Sequence, residues 1–292
     1  MAEGFDADWL SLREPFDAAA RDEGLARILA AHLRAARPHL LDLGAGTGSL
    51  TRWLAHFIRK PQSWTLADAD PDLMARAFDT MQEAAWEMGW AATWPGRKAL
   101  LVHAPAGAWR IEGVLYDLAG APQGLPLDKV HAVTCTALCD LVSEAWVERL
   151  ATVLAARRLP FYAALNVTGR ERFAPPHPAD ALVARGFGRD QRRAKGFGGP
   201  ALGPAAPAAI ARAFSRHGYA VHRAASPWRI HRREGEMAGI LAAGHAEAAL
   251  AHERRDWAKV EAWRAARLDQ AARGQLAATV GHEDVLCLPA AT

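Results

Sequence analysis

Cysteine is scarce in this chain: Cys135, Cys139 and Cys287 are the only three among 292 residues. An odd count with no paired spacing excludes a disulfide scaffold and argues against a zinc site. Long apolar runs are missing as well. No stretch reaches the roughly 18 uninterrupted apolar residues of a membrane span, and the start of the chain, with Glu3 and Asp6, is acidic where a secretory leader is basic. The expectation is a cytoplasmic protein that makes no membrane contact. A net charge of only +3 gives weak support to a nucleic-acid partner, whose footprint is a marked excess of positive charge. No internal repeat and no low-complexity tail interrupts the chain.

What is present is an ordinary globular composition, 51% hydrophobic and 23% charged, in a length that suits one large domain. The most informative stretch is His39-Leu40-Leu41-Asp42-Leu43-Gly44-Ala45-Gly46-Thr47-Gly48-Ser49-Leu50. It reads as a short buried strand, three glycines at alternate positions, and a helix start. Leu50, Trp53, Leu54, Phe57 and Ile58 then form one apolar helical stripe. Strand, glycine loop and helix together predict a nucleotide-type site at the carboxyl end of the first strand. Residues 63–67 read as a second strand ending at Asp68. Asp70-Pro71 follows, an N-cap and a first-turn proline opening the next helix. An acid at the end of a second strand can accept both hydroxyls of a ribose.

The glycine spacing is Gly-x-Gly-x-Gly, not the Gly-x-Gly-x-x-Gly of dinucleotide sites, which disfavours NAD. With Asp42 two places before Gly44, and Asp68 and Asp70-Pro71 following in order, the chain resembles the class I S-adenosylmethionine-dependent methyltransferases. The resemblance covers most of the chain, but its specific motifs lie between residues 39 and 142. It implies an α/β fold: a seven-stranded, Rossmann-like, doubly wound sheet with helices on both faces and an antiparallel last strand. Residues 1–292 would form a single domain, with a helical lid over 1–36 and insertions at 168–207 and 233–273 after strands five and six on the acceptor side. The implied cofactor is S-adenosylmethionine, held by Asp42, Gly44, Ala45, Gly46, Gly48, Asp68, Ala69, Asp117, Leu118 and Thr134. Asp117 is placed to meet the adenine amino group, Leu118 its ring, and Arg13 in the lid the methionine carboxylate.

The remaining elements are read from periodicity. Residues 9–15 form a short helical piece broken by Pro15, and a longer helix follows with Leu25, Ile28, Leu29 and Leu33 on one face. Trp86, Trp90 and Trp94 recur every four residues and predict a core-facing stripe on the helix after strand two. Residues 99–102 and 109–116 flank Pro105-Ala106-Gly107 and form a strand pair, the second member being the third core strand. Strand four spans 129–135, strand five 160–165 up to Asn166, strand six 219–222 and strand seven 280–288. Ser143 caps a helix that turns Val147, Leu150 and Leu154 inward. Within 233–273 two helices are expected, the second burying Trp257, Val260, Trp263 and Leu268.

In an open α/β sheet the ligand lies beyond the carboxyl ends of the strands where strand order reverses. For the implied fold this places Thr134, Cys135, Thr136 and Asp140 near the transferred methyl, with Asn166 beside them. Thr134-Cys135-Thr136-Ala137 lacks the Asn/Asp-Pro-Pro-Tyr/Phe motif of amino-methyltransferases that act on bases or glutamine. Cys135 has neither an adjacent proline nor an activating partner, so it reads as a small buried thiol. No cluster of oxygen ligands for a metal surrounds Asp140. Asp140, His177 and His282 are the candidate bases. Asn166, Arg170, Gln191, Arg192, Arg193 and Lys195, ahead of Gly196-Phe197-Gly198-Gly199, are the candidate substrate residues, because guanidinium forks match carboxylates and phosphates. The implied reaction is methyl transfer to O or N of a small anionic metabolite. Two alternatives share these motifs: an RNA methyltransferase that uses the basic insertion and the Arg-rich C-terminal helices, and a cofactor-binding protein doing non-methyl chemistry. The sequence does not separate a monomer from a homodimer.

Overall fold

Leu40, Leu41, Asp42 and Leu43 are all buried, so β1 (His39–Leu43) has no solvent face and must lie between two other strands. The computed structural model describes residues 6–96 and 98–290; the start of the expected lid at residues 1–5 lies outside the described residues. On one side β1 pairs in parallel with β2 (Gln62–Asp68) and on the other with β6 (Ala132–Thr136). The other strands are β3 (Ala92–Gly96), β4 (Ala99–Val102), β5 (Trp109–Leu115), β7 (Phe161–Ala174), β8 (Ala220–Ala225), β9 (Trp228–Ile230) and β10 (Ala277–Leu288). Their order is β3-β4-β5-β2-β1-β6-β7-β10-β8, with β9 also on β10. The core is parallel from β5 to β7, and β10 runs antiparallel to both β7 and β8.

The seven expected strands are therefore present, with the antiparallel strand last in sequence. β4 is the expected antiparallel partner of β5, and the unexpected β3 and β9 bring the sheet to ten strands among the described residues. The tryptophan stripe is a correction. Helix α4 (Pro71–Glu87) stops at Gly89, whose φ of 73° lets Gly89 and Trp90 N–H turn back on the Trp86 and Ala85 carbonyls. Trp86 is left 60% exposed at the helix end and Trp94 is on β3. Only Trp90 packs inward, edge-on to Trp109 at 5.4 Å.

The N-terminal reading is corrected too. α1 (Ala7–Ala20) runs unbroken through Pro15, because ties to other elements hold it on both sides. Glu14 pairs with Arg52 on α3 (Ser49–Ile58), and Asp17 accepts from Trp228 Nε1 at 3.0 Å. α2 (Glu23–His32) is shorter than α1, and Ile28 on it is 40% exposed. α5 (Glu144–Ala156) begins at Ser143, whose Oγ accepts from Trp146 N–H at 3.2 Å, as the sequence predicts.

The segment after Asn166 is not a loop at first. β7 continues to Ala174, followed by α6 (Asp180–Asp190), a loop over 191–202, and α7 (Ala206–Arg216). The two C-terminal helices are α8 (Gly235–His252) and α9 (Trp257–Ala272). Val260 and Trp263 are buried as expected, whereas Trp257 and Leu268 face solvent, 60% and 40% exposed. α6, α8 and α9 form a helical layer over β7, β9 and β10. α6 and α8 approach closely at Gly186, where a Cβ would lie 2.7 Å from Ala249 Cα. No described helix is long and apolar enough to cross a membrane.

Candidate active site

The glycine loop leaves β1 with its backbone already committed. Gly44 and Ala45 N–H groups both donate to the Ala67 carbonyl, at 2.8 and 3.2 Å, fixing the loop to the end of β2. Gly44, Gly46 and Gly48 have φ of 62°, 52° and 79°, a region that favours glycine. Gly46 N–H donates to Asp68 Oδ2 at 2.8 Å, while Asp68 Oδ1 accepts from Asp70 N–H at 3.0 Å. The Asp68 carboxylate thus ties the loop to the start of α4, where Asp70 caps the helix as expected. Each oxygen still has a lone pair for another donor.

These groups open onto a cavity of about 870 Å³ at the carboxyl ends of the parallel strands. One side is Gly44, Ala45, Gly46, Asp68, Ala69 and Asp70. Asp117 and Leu118 follow, Asp117 Oδ1 being held by Ala119 N–H at 2.9 Å. The far side is Thr136 to Leu138, Leu141, and the loop carrying Arg193, Lys195 and Phe197. α1 roofs the cavity with Leu10, Arg13 and Asp17, and a Cβ on Gly46 would lie 3.2 Å from Leu10 Cδ1. Arg13 makes a two-pronged pair with Asp17, at 3.0 and 3.1 Å, and lies 4.8 Å over the Trp228 ring.

Seven of the expected cofactor residues line this cavity: Gly44, Ala45, Gly46, Asp68, Ala69, Asp117 and Leu118. Asp42, Thr134 and Gly48 do not; they support it. Asp42 is fully buried and accepts from Thr134 Oγ1 at 2.9 Å and Thr51 Oγ1 at 3.0 Å. Burial pushes its carboxyl up to about 6 against those hydroxyls and Arg21. Gly48 is the N-cap residue of α3.

Of the expected substrate residues, Arg193 and Lys195 reach the cavity. Asn166 is buried in the sheet, its Nδ2 donating to Ala163 and Glu283 carbonyls. Gln191 and Arg192 are in the loop after α6, outside the lining, and Arg170 is exposed on β7. The three candidate bases also separate. His177 is in the turn before α6, its Nδ1 taking Ala179 N–H at 3.1 Å and its own N–H going to Asp180 Oδ2. His282 is buried against Trp228 with ring centroids 5.0 Å apart; burial first, then Arg13, push its pKa down to about 4. Asp140 is directly behind the far wall. Its Oδ1 is buried without a hydrogen-bond partner, and burial raises its pKa although Arg13 and Lys195 pull it down.

Cys135 is buried 3.7 Å from the Cys139 sulfur, and burial followed by that neighbour raises its thiol far above the usual range. Among the described residues no group of three or more His, Cys, Asp or Glu is gathered for a metal ion. Sequence reasoning missed Arg21 and Ala137. Arg21 is buried and donates to Ser49 and to Thr136 Oγ1, bracing the first turn of α3 against β6. An arginine in an Ala-rich stretch gives no signal of this. Ala137 lies at φ 48° with its N–H on the Ala164 carbonyl, so the chain turns sharply out of β6 and presents Leu138 to the cavity.

No family model matches the chain. A stretch of 55 residues is 46% identical to the biotin biosynthesis bifunctional protein BioCD of Bordetella avium (strain 197N); it spans 19% of this chain and 12% of that protein. The cyclopropane-fatty-acyl-phospholipid synthase-like protein of Lactobacillus casei ATCC 334 is similar in structure at 12% identity, over 99% of this chain and 96% of that one, with a TM-score of 0.51. A SAM-dependent methyltransferase from Geobacter sulfurreducens, solved with S-adenosyl-L-homocysteine, aligns over 92% of both chains at 19% identity, with a TM-score of 0.41. Strand order, the antiparallel β10 and the full-length structural match agree: the chain has the fold of the class I S-adenosylmethionine-dependent methyltransferases.

Proposed function

We propose that this protein transfers the methyl group of S-adenosylmethionine to an oxygen or nitrogen of a small anionic acceptor. One observation carries the reading: a single cavity joins the glycine loop and Asp68 at one end to Arg193 and Lys195 at the other. The first end fits the cofactor by its own chemistry. Asp68 retains acceptor capacity for two ribose hydroxyls, Asp117 and Leu118 offer a polar edge and an apolar face for adenine, and the glycine loop leaves its backbone open to close approach. When bound there, S-adenosylmethionine supplies a methyl already activated by its sulfonium.

The protein's own part is then mostly positioning. Lys195 and Arg193, the latter also paired with Asp190 at 3.0 Å, would hold the acceptor's anionic group. Loop 191–202 is anchored for this work: Ser143 Oγ donates to the Phe197 carbonyl at 2.7 Å, and Gly203 N–H to the Asp140 carbonyl at 2.8 Å. Asp140, with its raised pKa, is the group suited to take a proton from a hydroxyl or ammonium acceptor. Like His282, Asp140 is not itself in the lining, but it lies between Leu138 and Leu141, which are; His282 is buried against Trp228, and His177 is engaged by Ala179 N–H in the turn before α6.

The test is incubation with methyl-labelled S-adenosylmethionine and separated small-molecule, RNA and protein fractions, alongside calorimetry with S-adenosylmethionine and S-adenosylhomocysteine. Label is expected in small molecules that an anion exchanger retains. Label in RNA or protein overturns the acceptor class, and absence of heat with both ligands overturns the whole reading.

A further inference from the structure

The extension of β7 beyond the cavity carries a second cluster of cations that the methyl-transfer reading leaves unused. In the strand register Thr279 of β10 is directly opposite Arg172 of β7 on one side and Arg229 of β9 on the other. Residues directly opposite point to the same face. Their neighbours Phe173, Val280 and Trp228 are buried under the helical layer, so Arg172, Thr279 and Arg229 face the other way, and all three are exposed. Arg170, two residues before Arg172, shares that face and is exposed too. None of the three arginine side chains makes an ion pair or hydrogen bond with a described residue, whereas most other arginine side chains of the chain do.

We infer that this arginine face is a binding site for a phosphate or diphosphate group of a small molecule. Neighbouring strands are about 4.8 Å apart, so the flanking Arg172 and Arg229 backbones are about 10 Å apart, and Arg170 is about 7 Å along the strand from Arg172. Thr279 is short and central, leaving a saddle between long side chains that end in planar donor forks. Such forks match tetrahedral anions. Beside Arg170 the Thr168 hydroxyl is buried with no partner, and a Cβ on Gly281 would lie 2.4 Å from it, so glycine is what leaves that hydroxyl its space. The patch is compact, and the chain's net charge is only +3. A polyanion needs a long positive track, so a small anion fits better.

The test uses the full chain and inorganic pyrophosphate as probe, followed by calorimetry. Saturable binding is expected, weakened roughly tenfold or more in Arg172→Gln/Arg229→Gln. Thr279→Glu, which inserts a carboxylate between the arginines, should weaken it similarly, with S-adenosylhomocysteine affinity and thermal midpoint close to wild type for both variants. No saturable binding, or equal binding by the variants, overturns the site. A single-stranded RNA of about 20 nucleotides that binds more tightly than pyrophosphate, through the same arginines, overturns the small-anion assignment in favour of a nucleic-acid face.

Discussion

Asp42 on β1 and Thr134 on β6 are partners across the central parallel pair, and the threonine hydroxyl donates to the carboxylate at 2.9 Å. The motif acid is therefore a buried buttress. It holds β6 and, through Thr51, the first turn of α3 around the glycine loop. Its pKa is raised to about 6 from an ordinary 3.8. The folded state thus holds this proton more tightly than the unfolded chain, and stability falls as pH rises from about 4 through about 6. Asp42→Asn should remove roughly 2–3 kcal/mol of that pH-dependent loss. Urea midpoints for both proteins at pH 4.5 and 7 measure it; parallel curves for the two proteins refute it.

Asp68 is at the opposite pole, in the cavity wall with spare acceptor capacity. Asp68→Ala should weaken S-adenosylhomocysteine by roughly 1.5–3 kcal/mol, the range for hydrogen bonds to a charged group. It also frees the Gly46 and Asp70 N–H groups, so a small loss of stability accompanies it. Calorimetric affinity unchanged within twofold counts against a ribose contact.

The glycine-loop side of the cavity was legible because its determinants are local. A glycine that must adopt positive φ, an acid at a strand end and a capping Asp-Pro are each decided within a few residues. The opposite side was not, because the long segment after Asn166 is assembled at a distance. Arg170 looked like a loop cation, yet β7 continues through it and strand alternation turns it away from the cavity. His177 looked like a base, but a cap before α6 claims its Nδ1. Trp94 matched a helical period that Gly89 had already ended. Pro15 looked like a helix break, which Glu14 and Asp17 overrule through partners distant in sequence.

On the acceptor side Lys195→Met should raise KM for the anionic acceptor roughly tenfold or more while kcat changes little, since such a contact holds ground state and transition state alike. Arg192→Gln, outside the lining, should change neither. Equal effects of the two substitutions in steady-state kinetics show that the cavity does not select by this charge.

Asp140→Asn asks about the proton. If its carboxylate is the acceptor, kcat/KM of the wild type falls as pH drops through a value above the ordinary carboxylate range, because burial raises that pKa. The Asn variant should lose that acid limb and lose activity across the whole range. A variant with the wild-type pH profile removes Asp140 from the chemistry.

The roof of the cavity hangs on Asp17, which is 3% exposed and accepts from Arg13 and Trp228, with Arg21 3.8 Å away. Asp17→Asn keeps the volume and an acceptor for Trp228 but removes the negative charge between two arginines. Breaking such charge-assisted bonds should cost roughly 1.5–3 kcal/mol and lower the thermal midpoint by several degrees. The same change releases Arg13, which lines the cavity and is otherwise engaged by Asp17. A ligand carboxylate no longer has to compete with Asp17 for that guanidinium. The rise in thermal midpoint on adding saturating S-adenosylhomocysteine should accordingly be larger in the variant than in the wild type. A lower midpoint with an equal or smaller ligand-induced rise would instead mean that α1 acts only as a roof, and that Arg13 contributes nothing to holding the ligand.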